Sequence, residues 1–276
     1  MPNWLKTLTL ALLLGIFIAI VYFGNQRYDA AIAREGAESV RWQQQYEELK
    51  RKRHQEEIER WKPDGSPRSI MDDIRYAHAL KGEVKVAALG SAAAPVADNG
   101  EAGTHWSTFM KQHLRSAIGY DGVKWSEYRA VAPGLQALWD ENKMQEATGQ
   151  QPDLFILDTM IADEHMQSVP LQSAVKSITD AVYKIQTEVP DAKLLLLSSP
   201  PKEVSETKNN LGLTLNDYAY STGVYVSAQG WDYVDLYSEL RRQPDLAQLI
   251  EGDGQLAAEG HQIVFDIVKS RFELAK

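Results

Sequence analysis

Hydrophobic and polar positions divide the chain into three stretches. Residues 7–23 are an almost unbroken run of Leu, Ile, Ala, Val and Phe without a charge. That run is just long enough to span a hydrocarbon core as a helix. Residues 25–62 are polar, charged and free of proline, and rich in the helix formers Gln, Glu, Arg and Ala. Pro63-Asp64-Gly65-Ser66-Pro67 then breaks the helix. Beyond it, short apolar runs alternate with segments of helical spacing. The spacing predicts a helix over 70–81. Val84, Val86, Ala88 and Leu89 form a short strand with both faces buried, as in the centre of a parallel sheet. Helices follow over 106–118 and, after a Pro133-Gly134 turn, over 135–148. A strand over 154–157 precedes a long amphipathic helix over 169–189. A strand over 194–197 runs into the loop Ser198-Ser199-Pro200-Pro201. A helix over 211–222, a strand over 233–236 and a closing helix over 260–274 complete the pattern. Strands alternating with helices imply an α/β domain with a parallel central sheet over 63–276. A transmembrane helix within 1–24 and a helical stalk over 25–62 precede it.

The apolar run is long for a signal peptide. No small-x-small cleavage site follows, since the next residues are Gly24-Asn25-Gln26-Arg27. An uncleaved single-pass anchor in the cell membrane is therefore expected. Lys6 marks the short amino-terminal side as cytoplasmic, but Arg27, Arg34 and Arg41 lie on the other side, so charge alone barely sets the orientation. A short tail before a long domain favours an extracytoplasmic main domain. Within the stalk, Tyr28, Ile32, Trp42, Tyr46 and Leu49 share a heptad seam, interrupted by Glu35, Ser39, Arg53 and Glu56. A solvated helix is the expected state, and a weak homodimer through the stalk is the sharper alternative.

Charge and composition narrow the function. The formal net charge is −9, and from residue 63 onward 19 basic residues face 30 acidic ones. An acidic domain argues against nucleic acid and anionic membrane surfaces as partners. With no cysteine, disulfides, thiolate chemistry and Cys-ligated metals are excluded.

The landmarks come in a specific order. A strand ends in Leu89-Gly90-Ser91. Pro152-Asp153-Leu154-Phe155-Ile156-Leu157 and a long helix come next, then Pro190 to Pro201 with its four consecutive leucines. Tyr233-Val234-Asp235-Leu236-Tyr237 and the stretch Asp253 to His261 follow. Over roughly residue 84 to the carboxyl terminus, this resembles the SGNH (GDSL-like) hydrolases. The resemblance implies a three-layer, flavodoxin-like α/β domain and serine-esterase chemistry. In that alignment the nucleophile position is Ala92, with Ser91 one residue earlier. Gly134 is the candidate oxyanion-hole glycine. Asp158-Thr159-Met160-Ile161 stands where the family has Gly-x-Asn-Asp, so the asparagine donor is absent. The base position is Gln255 and the acid position Gly252. Asp253 fits the acid only with a one-residue deletion, which puts Leu256 at the base.

Serine attack needs an oxygen nucleophile and a base within hydrogen-bond reach. Alanine supplies neither, and Gln or Leu accepts no proton near neutral pH. The expectation is a domain that has lost the family's machinery and binds a cell-envelope glycan or a protein partner. The alternative is an active esterase or deacetylase with a rearranged set, Ser91 as nucleophile, His261 as base and Asp253 as acid. Asp158, Asp163, Glu164 and His165 are metal-ligand types placed close together, although a solvated loop accounts for them, and no metal or cofactor is expected. Helix packing or surface positions account for His105 and His113. Trp125, Trp139 and Trp231 are candidates for a sugar-stacking platform, with core packing as the default.

Overall fold

The computed structural model describes residues 3–92, 105–251 and 255–275. The chain divides into two compact units, Met1–Arg60 and Trp61–Lys276. The first is the single unbroken helix α1 (Asn3–Trp61), whose last residue opens the second unit. Among the described residues it is the one helix long and apolar enough to cross a membrane, judged by length and composition. The seam residues Tyr28, Ile32, Trp42, Tyr46 and Leu49 are all exposed on it.

The second unit is a five-stranded, all-parallel sheet in the order β2-β1-β3-β4-β5. Its strands are β1 (Val84–Leu89), β2 (Val123–Tyr128), β3 (Leu154–Asp158), β4 (Lys193–Leu197) and β5 (Tyr233–Val234). β1, β3 and β4 are the apolar runs of the sequence, and β3 is buried along its whole length. On one face the core contains Leu89, Leu157 and Leu196, covered by α4 (Leu135–Asp140), α5 (Lys143–Gly149), α7 (Leu171–Glu188) and α8 (Leu215–Gln229). On the other, Val86, Ile156 and Leu195 pack against α2 (Ile70–Lys81), α3 (Trp106–Ile118) and α10 (Ala258–Glu273). Each fully buried side chain, such as Phe155 or Phe272, contributes about 1.5–3 kcal/mol of transfer free energy. Strand order reverses between β1 and β3, so the crevice where doubly wound sheets take ligands lies at the carboxyl ends of these two strands.

The elements differ from the sequence expectations in five places. β2 was not expected, because its half-exposed Val-Lys-Trp-Ser-Glu-Tyr alternation marks an edge strand rather than a buried one. The helix expected over 135–148 is two, α4 and α5, separated at Asn142, whose φ of 58° is left-handed. The helix expected over 211–222 starts at Leu215 and runs to Gln229. Thr214 and Asp217 form a capping box at its start, and Gly230 at φ 70° ends it. The strand expected over 233–236 stops at Val234, because Asp235 accepts the Ser238 N–H and starts α9 (Leu236–Arg241). The loop expected around Asp163 is α6 (Ile161–Met166), with Glu164 and His165 buried.

Candidate functional site

The carboxyl ends of β1 and β3 meet at Ser91 and Asp158. β1 leaves the sheet through Gly90, at φ 72°, into a single 3-10 turn, Gly90–Ala92. A Cβ at Gly90 would lie 2.9 Å from the Met160 sulfur, so glycine meets both the turn and the close approach. Asp158, the last residue of β3, is buried and collects three donors. Its Oδ1 accepts the Met160 N–H at 2.7 Å and the Ser199 hydroxyl at 3.0 Å, and its Oδ2 accepts the Ser91 hydroxyl. Burial pushes the Asp158 carboxyl up, the three hydrogen bonds oppose that, and the charge of Asp163 adds to the rise. Ser91 thus supplies a donor to a buried carboxylate.

Gly134 sits at the start of α4, with its N–H engaged by Asp163 Oδ2 at 3.2 Å. The neighbouring Leu135 N–H donates to Glu164 Oε1 at 3.0 Å. Burial raises Glu164, against that hydrogen bond and with help from Asp163. His165 turns Nε2 to the carbonyls of Thr207 and Leu213, at 3.0 and 3.2 Å. Asp158, Asp163, Glu164 and His165 therefore serve separate partners, and no cluster of three metal-ligating side chains occurs among the described residues.

His261 lies in the first turn of α10, and its ring centroid is 4.7 Å from that of His105. His105 caps α3, accepting the Ser107 N–H on Nδ1 at 3.2 Å, with the Ser107 hydroxyl 2.7 Å from the same nitrogen. That hydroxyl is also 3.2 Å from Glu127 Oε1, which accepts the Trp125 indole N–H at 2.9 Å. Burial, then the charges of His261 and Arg129, hold His105 down at about 3. Burial also lowers His261, and its Nδ1 is buried without a hydrogen-bond partner among the described residues. The histidine pair is nonlocal, and the sequence offered no signal for it beyond the two residue types.

Of the candidate set Ser91, His261 and Asp253, Ser91 bonds to Asp158, the His261 ring lies tilted against that of His105, and Asp253 lies outside the described residues, as does Gly252. Ala92 ends the 3-10 turn. Gln255 lies beside a short antiparallel bridge between Ile250 and Leu256, its carbonyl accepting the Glu251 N–H. Gly260 lets α10 start against this segment, since a Cβ there would lie 2.6 Å from the Leu249 carbonyl oxygen. His113 faces Glu273 at 3.8 Å. The three tryptophans pack separately. Trp125 lies against the α3–α10 side, Trp139 and Trp231 against the other, and Trp231 has edge contacts with Tyr183 and Tyr225.

No protein-family model matches the sequence, and no curated protein matches it. Solved structures do. A Parabacteroides merdae protein described as a GDSL-like lipase superposes with a TM-score of 0.58 at 10% identity, over 69% of this chain and 95% of its own. A lipase/acylhydrolase from Enterococcus faecalis gives 0.55 at 13% identity, over 70% and 97%. A member of the lipolytic G-D-S-L family from Veillonella parvula gives 0.51 at 12%, over 68% and 98%. Together with the 2-1-3-4-5 strand order, these matches show that the α/β unit has the SGNH/GDSL-like hydrolase fold.

Proposed function

We propose that this chain is a membrane-anchored, extracytoplasmic module in which the SGNH/GDSL-like fold is catalytically degenerate and binds a cell-envelope glycan or a protein partner. The observation that carries this reading is the Ser91–Asp158 hydrogen bond. The hydroxyl nearest the family's nucleophile position faces a buried carboxylate, while His261 lies against His105. Met160 stands where the family places its asparagine donor, and the Gly134 N–H is already bonded to Asp163. A preorganised oxyanion donor is worth about a hundred- to a thousandfold in rate. The apolar helix supports the anchor.

One observation favours a second reading, an active esterase or deacetylase using Ser91, His261 and Asp253. The His261 Nδ1 has no hydrogen-bond partner among the described residues, so no other group occupies it. Detergent-solubilised full-length protein separates the two readings when assayed in parallel for acetyl-ester hydrolysis and for co-sedimentation with isolated cell-envelope glycan. The first reading expects binding without turnover. Turnover that Ser91→Ala abolishes would establish the second.

A further inference from the structure

At the amino end of the sheet, away from the Ser91–Asp158 crevice, a cavity of about 250 Å³ opens between Arg68, Asp73, Lys193, Asp232, Arg271 and Leu274. Lys193 is the first residue of β4, Arg271 lies in the last turn of α10, and Arg68 precedes α2. The Arg68 Nε donates to Asp73 Oδ1 at 2.8 Å, and Lys193 Nζ lies 3.0 Å from Asp73 Oδ2. Arg271 Nη2 pairs with Asp232 Oδ1. Three cations thus face two carboxylates, a surplus of one positive charge in the lining.

The donors are not all matched. Nη2 of Arg68 and Nη1 of Arg271 are buried with no hydrogen-bond partner among the described residues. In this conformation they have almost no solvent-exposed surface, so an acceptor in the cavity reaches them only after the guanidinium groups turn toward it. Buried groups of this kind are almost always paired, and an unpaired one calls for a water or an ion. Both arginines line the same cavity, and a water takes only about 30 Å³ of liquid volume, so the space exceeds one solvent molecule. A guanidinium presents its N–H groups as a planar fork that matches the oxygens of a carboxylate or a phosphate. A purely structural network of ion pairs accounts for the two carboxylates. It leaves unexplained the surplus charge, the two idle donors and the cavity that both arginines share.

The geometry points to a small-oxyanion site, in which a carboxylate or phosphate group seats between Arg68, Lys193 and Arg271. Asp73 and Asp232 hold the three cations in place and set the charge preference. With a surplus of one, the lining matches a single negative charge best and compensates a dianion only in part. This site is independent of the proposed function of the crevice.

The test uses full-length protein in detergent. Sodium phosphate or sodium acetate is titrated against sodium chloride at constant ionic strength, and the melting temperature is followed by tryptophan fluorescence. The expected result is a saturable rise with at least one of the two anions, and the arm that gives it identifies the oxyanion. Lys193→Gln is the primary variant, because this side chain is 52% exposed and Asp73 keeps Arg68 as its partner. It should weaken the apparent affinity about tenfold, the scale of one lost charge-assisted hydrogen bond. Arg68→Gln should do the same or more. If that variant does not fold, Lys193→Gln decides alone. Lys176→Gln, on the exposed side of α7, should leave the titration unchanged. No saturable rise with either anion, or a rise of equal midpoint in Lys193→Gln, overturns the site.

Discussion

The hydroxyl of Ser91 donates to Oδ2 of Asp158, and among the described residues no histidine hydrogen-bonds to it. The bond ties the end of β1 to the end of β3 at the point where the strand order reverses. That is where a doubly wound sheet presents its ligand crevice. The pairing gives a buried carboxylate its third donor.

Asp158→Ala should lower stability by about 2–4 kcal/mol, because it leaves the buried Met160 N–H without an acceptor and two hydroxyls to find new ones. Asp158→Asn should cost less, and the difference from wild type should depend on pH. The folded carboxyl is raised above 3.8, so its contribution to stability is full below that value and is lost as pH rises through the raised one. Urea midpoints measured from pH 4 to 8 should therefore move in favour of Asn as pH rises. A wild-type advantage that grows with pH would contradict the raised carboxyl.

His105 gives the opposite slope. It is held at about 3 in the folded protein against 6.5 ordinarily, so the unfolded chain takes up the proton first as pH falls. Stability should decline from pH 6.5 down to about 3, by ~3–5 kcal/mol at most over that window. His105→Asn keeps a good helix cap and removes the titration. Its acid-unfolding curve should be shallower than that of wild type, and an unchanged curve would show that the His105–His261 pair is not the cause.

Gly90→Ala should destabilise by about 1–3 kcal/mol, from a left-handed backbone and the approach of Met160. Gly149→Ala is the control, since its new Cβ meets nothing within 4 Å. That change should be neutral or mildly stabilising, by roughly 0.5–1 kcal/mol. Thermal or urea unfolding of the pair checks both signs.

The proposed anchor predicts that the full chain sediments with membranes and resists an alkaline carbonate wash. The same chain lacking residues 1–60 should be recovered in the soluble fraction and unfold in one transition. Protease added outside intact cells, with any outer barrier opened, should remove the acidic unit. Degradation only after lysis would reverse the proposed orientation.

Much of the fold was legible because β1, β3 and β4 are short, mostly apolar runs, the pattern expected of strands in a sheet covered on both faces. The α2 and α3 boundaries were legible from spacing alone. β2 was not, since an edge strand alternates and resembles a polar connection. The Leu215 start of α8 turned on the Thr214–Asp217 capping box, a local hydrogen-bond exchange that apolar spacing does not register. α6 was hidden because Asp163, Glu164 and His165 suggest a solvated loop. Glu164 and His165 are buried only through bonds to Leu135, Thr207 and Leu213, remote in the chain. The sequence pointed to Ser91 and His261 one by one. Which groups they meet, Asp158 and His105, is set by the topology.

The most direct measurement of the central claim is active-site titration with a fluorophosphonate, alongside acetyl-ester turnover, for wild type, Ser91→Ala, His261→Ala and Ala92→Ser. Removing a triad member leaves only roughly a thousand- to ten-thousandfold of catalysis over water, so a hydroxyl added without its base should not create an esterase. The degenerate reading predicts no stoichiometric labelling and no turnover in any of the four proteins, Ala92→Ser included. Labelling and turnover in wild type that both Ser91→Ala and His261→Ala abolish would contradict it and establish the rearranged catalytic set.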